Sequence, residues 1–112
     1  MDCIFCKIIA GEMPCNKLYE DEDVLAFFDI APQAPVHFLV IPKAHIESMA
    51  AITAENSRIL AKIGEVIAKL ANEQHLEDGF RVITNTGVNG AQSVKHLHFH
   101  VLGGVKLSES LC

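Results

Sequence analysis

The longest periodic stretch of the chain lies between positions 53 and 75. Apolar residues recur there at Ile59, Ile63, Val66, Ile67 and Leu70, with Leu60 beside them. Spacings of three and four put these side chains on one stripe of a helix. The pattern predicts an amphipathic helix of roughly twenty residues, N-capped by Thr53 and ending near His75. Other stretches are shorter and rich in strand formers. Lys17–Glu20 and Val24–Asp29 read as strands joined by the acidic turn Asp21-Glu22-Asp23. HFLVI at 37–41, stopped by Pro42, reads as a third, FRVIT at 80–84 as a fourth and 94–102 as the last, ended by Gly103-Gly104. IFCKIIA at 4–10 predicts a short helix ending at Gly11, with Pro14 beyond it. APQAP at 31–35 is a loop, because its prolines remove donors and disfavour helix before them. The fold class is therefore α+β, the long helix covering one face of an antiparallel sheet.

Composition narrows the partners. The chain has 112 residues, half of them hydrophobic, which suits one domain over 1–112 with a core that needs no disulfides. A net charge of −5 with nine Lys and Arg argues against long nucleic acids, whose binding needs a basic stripe. A small anion stays possible, because backbone N–H groups and helix N-termini hold phosphate without net positive charge. No apolar run approaches the ~20 residues of a membrane span. The N-terminal stretch MDCIFCKIIAGE lacks the features of a secretory signal. The expected compartment is the cytoplasm, with Cys3, Cys6, Cys15 and Cys112 as reduced thiols or metal ligands.

Candidate chemistry concentrates in KHLHFHVLGG, residues 95–104. On a strand, His96, His98 and His100 would share one face, and Leu97, Phe99 and Val101 the other, toward the long helix. Such a face could be the polar side of a half-buried strand, a metal site or a nucleophilic site. A hydrolytic zinc wants three protein ligands and an open position, and no carboxylate-rich stretch stands nearby to support a two-metal centre. The preceding loop NTGVNGAQS supplies Asn85, Gly87, Gly90, Gln92 and Ser93. Its glycines let successive amides converge on an anion, although the G-K-[ST] ending of a Walker A loop is missing. Alone it reads as a hairpin turn. Beside three histidines, it reads better as a phosphate site.

These residues resemble a known family. His96-Leu97-His98-Phe99-His100-Val101-Leu102 matches the signature of the histidine triad (HIT) nucleotide-binding proteins. IFCKIIAGEMP, LAFFDIAPQAPVHFLVIPKAH and AQSVKHLHFHVLGG resemble its Hint branch over nearly the whole chain. The branch that hydrolyses dinucleoside polyphosphates fits less well at Gly103-Gly104. The resemblance implies a homodimer whose two five-stranded sheets, each with one long and one short helix, join into one. It also implies hydrolysis of purine nucleoside 5′-phosphoramidates with no catalytic cofactor, releasing a monophosphate such as AMP or GMP. By the same resemblance His98 is the nucleophile, and the His96 carbonyl holds its tautomer. His100, Ser93 and Gln92 surround the phosphate, Asn85 touches the phosphate or the ribose side, and His37 lies behind the triad. Ile4, Phe5, Ile8, Phe27, Phe28 and Ile30 form the nucleoside pocket, with Asp29 on the ribose. Phe28 stands where a histidine is common, and Ala91, beside the phosphate, where a glycine is frequent. The rivals are a nucleotide-binding module without turnover and a zinc hydrolase using the triad face.

Cys3-Ile4-Phe5-Cys6 is a C-x-x-C, open to reading as a redox pair, half a zinc site or two unconnected thiols. Redox chemistry of the thioredoxin kind expects a βαβ context, which this sequence lacks. Some HIT proteins complete a structural zinc site with the histidine after P-K-x and the first triad histidine. The resemblance makes the ligands Cys3, Cys6, His45 and His96.

Overall fold

A computed structural model describes residues 3–111, so the expectation for Cys112 lies outside the described residues. Eight elements follow in chain order: helix α1 (Ile4–Ile9), strands β1 (Lys17–Glu20), β2 (Val24–Phe28) and β3 (Val36–Pro42), a 3-10 turn (Met49–Ala51), helix α2 (Arg58–Glu73), and strands β4 (Phe80–Ile83) and β5 (Phe99–Gly103). The five strands form one antiparallel sheet in the order β1-β2-β3-β5-β4. The α+β expectation holds. Among the described residues, no helix is long and apolar enough to cross a membrane.

Strand alternation sorts the apolar side chains onto two faces. Val24 and Ala26 of β2, Phe38 and Val40 of β3 and Val101 of β5 pack against Ile63, Val66, Ile67 and Leu70 of α2. Leu25, Phe27, Leu39 and Ile41 point the other way, where Cys3 and Phe5 at the start of α1 cover them. His37 lies on the same face as Leu39 and Ile41, two residues along β3. His100 is paired directly opposite Leu39 and so joins that face. The histidines therefore stand on the side away from the long helix.

Two elements start later than their patterns predict. Helix α2 begins at Arg58 with Ser57 as N-cap, and runs for 16 residues. Thr53 instead opens a separate turn, its carbonyl accepting from the amides of Asn56 at 3.2 Å and Ser57 at 2.9 Å. The Asn56 side chain closes that turn onto the Thr53 amide at 2.7 Å. Strand β5 begins at Phe99 rather than at 94. The backbone before it bonds elsewhere: the Leu97 amide donates to the Ile46 carbonyl at 2.6 Å, and Thr84 Oγ1 donates to the His98 carbonyl at 2.8 Å. His96 and His98 consequently stand on an irregular lead-in and only His100 on the strand.

The loop from 85 to 93 is folded tightly onto itself. Ala91 and Gln92 donate to the carbonyls of Val88 and Gly87, each at 3.0 Å. Ala91 adopts φ +57°, left-handed backbone that costs a residue with a Cβ about 1–2 kcal/mol. At Gly90 a Cβ would strike the Thr86 backbone, so that position admits glycine alone. Replacing Ala91 by Gly is expected to stabilise the protein by about 0.5–1 kcal/mol, relief of strain outweighing the freer unfolded chain. Urea denaturation of the two proteins measures it, and a less stable variant contradicts the strain argument.

Candidate active site and metal centre

His98 is buried, and its ring orientation is decided by one bond. Its Nδ1 lies 2.7 Å from the carbonyl oxygen of His96. A carbonyl only accepts, so Nδ1 carries the hydrogen and Nε2 keeps the lone pair. The aromatic neighbours of that ring are Phe5 and His100, each 5.1 Å away between centroids.

A second chain of bonds settles His37 and His100. The Gln33 amide donates to His37 Nδ1 at 3.0 Å, which forces the hydrogen onto His37 Nε2. That nitrogen lies 2.9 Å from His100 Nδ1 and donates to it. His100 then carries its own hydrogen on Nε2, free to donate onward. Asp29 stands beside the pair, Oδ2 at 3.5 Å from His37 Nε2 and 4.0 Å from His100 Nδ1, while Oδ1 accepts from the Ala31 amide at 2.8 Å. Burial pushes both imidazoles below the ordinary histidine range, and for His100 the neighbours His98 and His37 push the same way, against Asp29. Both rings are thus neutral donors at pH 7.

His96 turns away from this pair. It is fully buried, with Nε2 donating to the Pro42 carbonyl at 2.8 Å. Its Nδ1 lone pair faces Cys3 Sγ at 3.4 Å and Cys6 Sγ at 3.6 Å, and His45 Nδ1 lies 3.2 Å from Cys6 Sγ. The four ligand atoms lie within 4.8 Å of one another, a group that could hold a metal ion. Tetrahedral bonds of ~2.0–2.3 Å make edges of about 3.3–3.8 Å, close to these separations. The donor chemistry fits as well. Burial and the neighbouring Cys3 push the Cys6 thiol up, so a bound cation is what would keep that sulfur a thiolate. The triad therefore does not present three lone pairs to one cation: that of His96 faces the cysteines, and that of His100 accepts from His37.

The remaining predicted residues are dispersed. Gln92 is committed to the loop, its Oε1 accepting from the Gly87 amide at 2.9 Å and its Nε2 donating to the carbonyls of Glu47 at 2.7 Å and Val94 at 3.0 Å. Its main-chain amide is committed as well, to the Gly87 carbonyl, so Gln92 shapes the loop rather than donating to a ligand. Ser93 is exposed and Asn85 half-buried on the same loop. Phe5, Phe27 and Ile8 pack together on the histidine side, whereas Phe28 packs on the α2 side and Ile4 and Ile30 are exposed. The Gln33 amide and the Pro42 carbonyl are site groups with no sequence signal, since every residue has a main chain.

Comparison with known proteins agrees with the signature. A family profile described as scavenger mRNA decapping enzyme C-term binding matches residues 2–110. An uncharacterized HIT-like protein of Chlamydia trachomatis is 46% identical over 93% of this chain and 94% of its own. A histidine triad protein from Clostridium difficile is 51% identical, with a TM-score of 0.94 over 98% of this chain and 96% of its own. A HIT family hydrolase from Clostridium thermocellum is 46% identical, with a TM-score of 0.96 over 99% and 97%.

The depressed imidazoles fix a pH dependence. Above about pH 6.5 folded and unfolded chains hold the same protons on His100, and stability is flat in that term. Below it the unfolded chain protonates first, so stability falls as pH drops through the folded value. His100→Gln should flatten that decline by up to about 1.4 kcal/mol per pH unit. Denaturation midpoints between pH 5 and 7 measure it; identical slopes would contradict a buried neutral imidazole.

Proposed function

The chain belongs to the histidine triad family, and on that premise we propose that it is a hydrolase of purine nucleoside 5′-phosphoramidates. The observation that carries the reading is the His98 tautomer: a hydrogen on Nδ1 bound to the His96 carbonyl, and a lone pair on Nε2. A neutral imidazole nitrogen is a good nucleophile at pH 7. Close structural relatives that bear the name hydrolase, from Clostridium thermocellum and Legionella pneumophila, support the reaction class.

In the proposed reaction His98 Nε2 attacks the α-phosphorus. The P–N bond breaks, the amine leaves with a proton taken from solvent, and a nucleotidyl-histidine forms. Water then attacks the same phosphorus and gives a proton back to solvent, releasing the nucleoside monophosphate and returning His98 to its neutral form. His100 Nε2–H and the Ser93 hydroxyl donate to the non-bridging oxygens as charge gathers there. The His37–His100 bond keeps the donor hydrogen of His100 pointed away from His37. Asn85 lines the same anion with the loop at Ala91 and Gln92 beside it, Asp29 meets the ribose hydroxyls, and Phe27 with Ile8 flanks the base.

The metal of the Cys3–Cys6–His45–His96 centre is zinc in this reading, which two thiolates and two imidazoles favour over harder cations. It neutralises the sulfurs and ties α1 to the lead-in of β5. Protein purified under reducing conditions without chelator is expected to carry about one zinc per chain. Mass spectrometry of the metal finding none would sink the assignment.

Two copies pair along β4 in this reading. That edge strand exposes Phe80 and Val82, each at 43%, whereas the opposite edge, β1, carries the exposed charge of Lys17 and a Glu20 ion-paired to Lys17 and Lys43.

The deciding assay follows AMP release from adenosine 5′-phosphoramidate. His98→Ala should lose on the order of 10³-fold or more in kcat while still binding AMP. Wild-type protein that binds AMP but releases none from the phosphoramidate would make this a binding module.

A further inference from the structure

Helix α1 has six residues, at most half of the ~12–15 an isolated helix needs in water. Its anchorage lies at its N-terminus. Cys3 is the N-cap, its Sγ accepting from the Cys6 amide at 3.3 Å, and both sulfurs join His45 and His96 in the metal group. Phe5 lies between the two cysteines in sequence and is buried. Its ring stands edge-on to two imidazoles, 5.1 Å from His98 and 5.9 Å from His96, and 5.7 Å from Phe27. The segment that supplies the sulfur ligands therefore also supplies the wall against the His98 ring.

A second connection runs through His96. Its ring is held at both nitrogens, by the Pro42 carbonyl and by the sulfurs, and its own carbonyl receives the His98 hydrogen. Displacing that ring displaces the acceptor that decides which His98 nitrogen is nucleophilic.

We propose that the Cys3–Cys6–His45–His96 centre, when loaded, positions the nucleophile. It holds the His98 tautomer through the His96 carbonyl and the ring plane through Phe5, which makes Phe5 a positioning residue rather than a wall of the nucleoside pocket. The inference rests on the reading of His98 as nucleophile; the metal itself makes and breaks no bond to substrate. Metal occupancy then controls kcat and leaves nucleotide affinity nearly unchanged.

The test uses protein carrying ¹⁵N-labelled histidine, loaded with zinc and then chelated, with the His98→Ala spectrum assigning the His98 signals and circular dichroism reporting the fold. Long-range ¹H–¹⁵N spectra separate the Nδ1–H tautomer from its alternative. The loaded protein is expected to show Nδ1–H alone, and the chelated, folded protein a mixture. Phe5→Leu, loaded with about one zinc per chain, should lower kcat on the order of 10–100-fold with AMP affinity kept within about twofold. An unchanged tautomer in chelated, folded protein overturns the proposal, as does a Phe5→Leu variant that weakens AMP binding but keeps kcat. Should chelation unfold the protein, the Phe5→Leu split between kcat and affinity decides alone. The tautomer comparison needs no turnover, so a wild type that fails to hydrolyse the phosphoramidate removes the hydrolase reading and leaves this test standing.

Discussion

One hydrogen bond governs the site: His98 Nδ1–H to the His96 carbonyl, at 2.7 Å. A neutral imidazole has one lone pair, and this bond decides which nitrogen bears it. It also accompanies the end of regular sheet short of His96 and His98. The segment 96–98 exchanges ladder bonds for others, to the Ile46 carbonyl, the Thr84 hydroxyl and the His98 ring. The irregular backbone is what lets one residue present its side chain to the cysteines and its carbonyl to the neighbouring imidazole.

Electrostatics follow from the same neutrality. A chain with a net charge of −5 gains nothing from long-range attraction for a phosphate, and no lysine or arginine is among the proposed phosphate contacts. The groups offered are neutral imidazole N–H, hydroxyl and the Asn85 side-chain amide. Burial keeps His37 and His100 uncharged, and the Gln33 amide starts the hydrogen-bond relay that aims them. Preorganised neutral dipoles of this kind act at short range, where charge develops.

Much of this was legible in the sequence. The period of Ile63, Val66, Ile67 and Leu70 located the long helix and its buried face, because packing demands that spacing. The five strands were found for the same reason. The start of α2 was misread because Thr53 has the chemistry of a cap, yet caps a separate turn that Asn56 completes. The start of β5 was misread because alternation of His with Leu and Phe looks like strand whether or not a partner strand is there to pair with. The metal group was visible only through the resemblance, since positions 3, 6, 45 and 96 become neighbours by folding. Main-chain partners such as Pro42 and Gln33 leave no trace in residue identity. The apolar positions 27 and 28 looked alike as letters, and pleating sent them to opposite faces.

The strand order β1-β2-β3-β5-β4 has a consequence for how the molecule comes together. The last strand in the chain lies between two earlier ones, so β4 is joined to the rest of the sheet only through it. A growing chain that has made everything up to residue 95 still leaves bare the edges of β3 and β4 that β5 will cover, each a template for pairing with a neighbour. The same insertion that closes those edges delivers His98 and His100 to His37. Completion of the sheet and assembly of the reactive groups are thus a single event, and a partly folded chain has no partial version of the site.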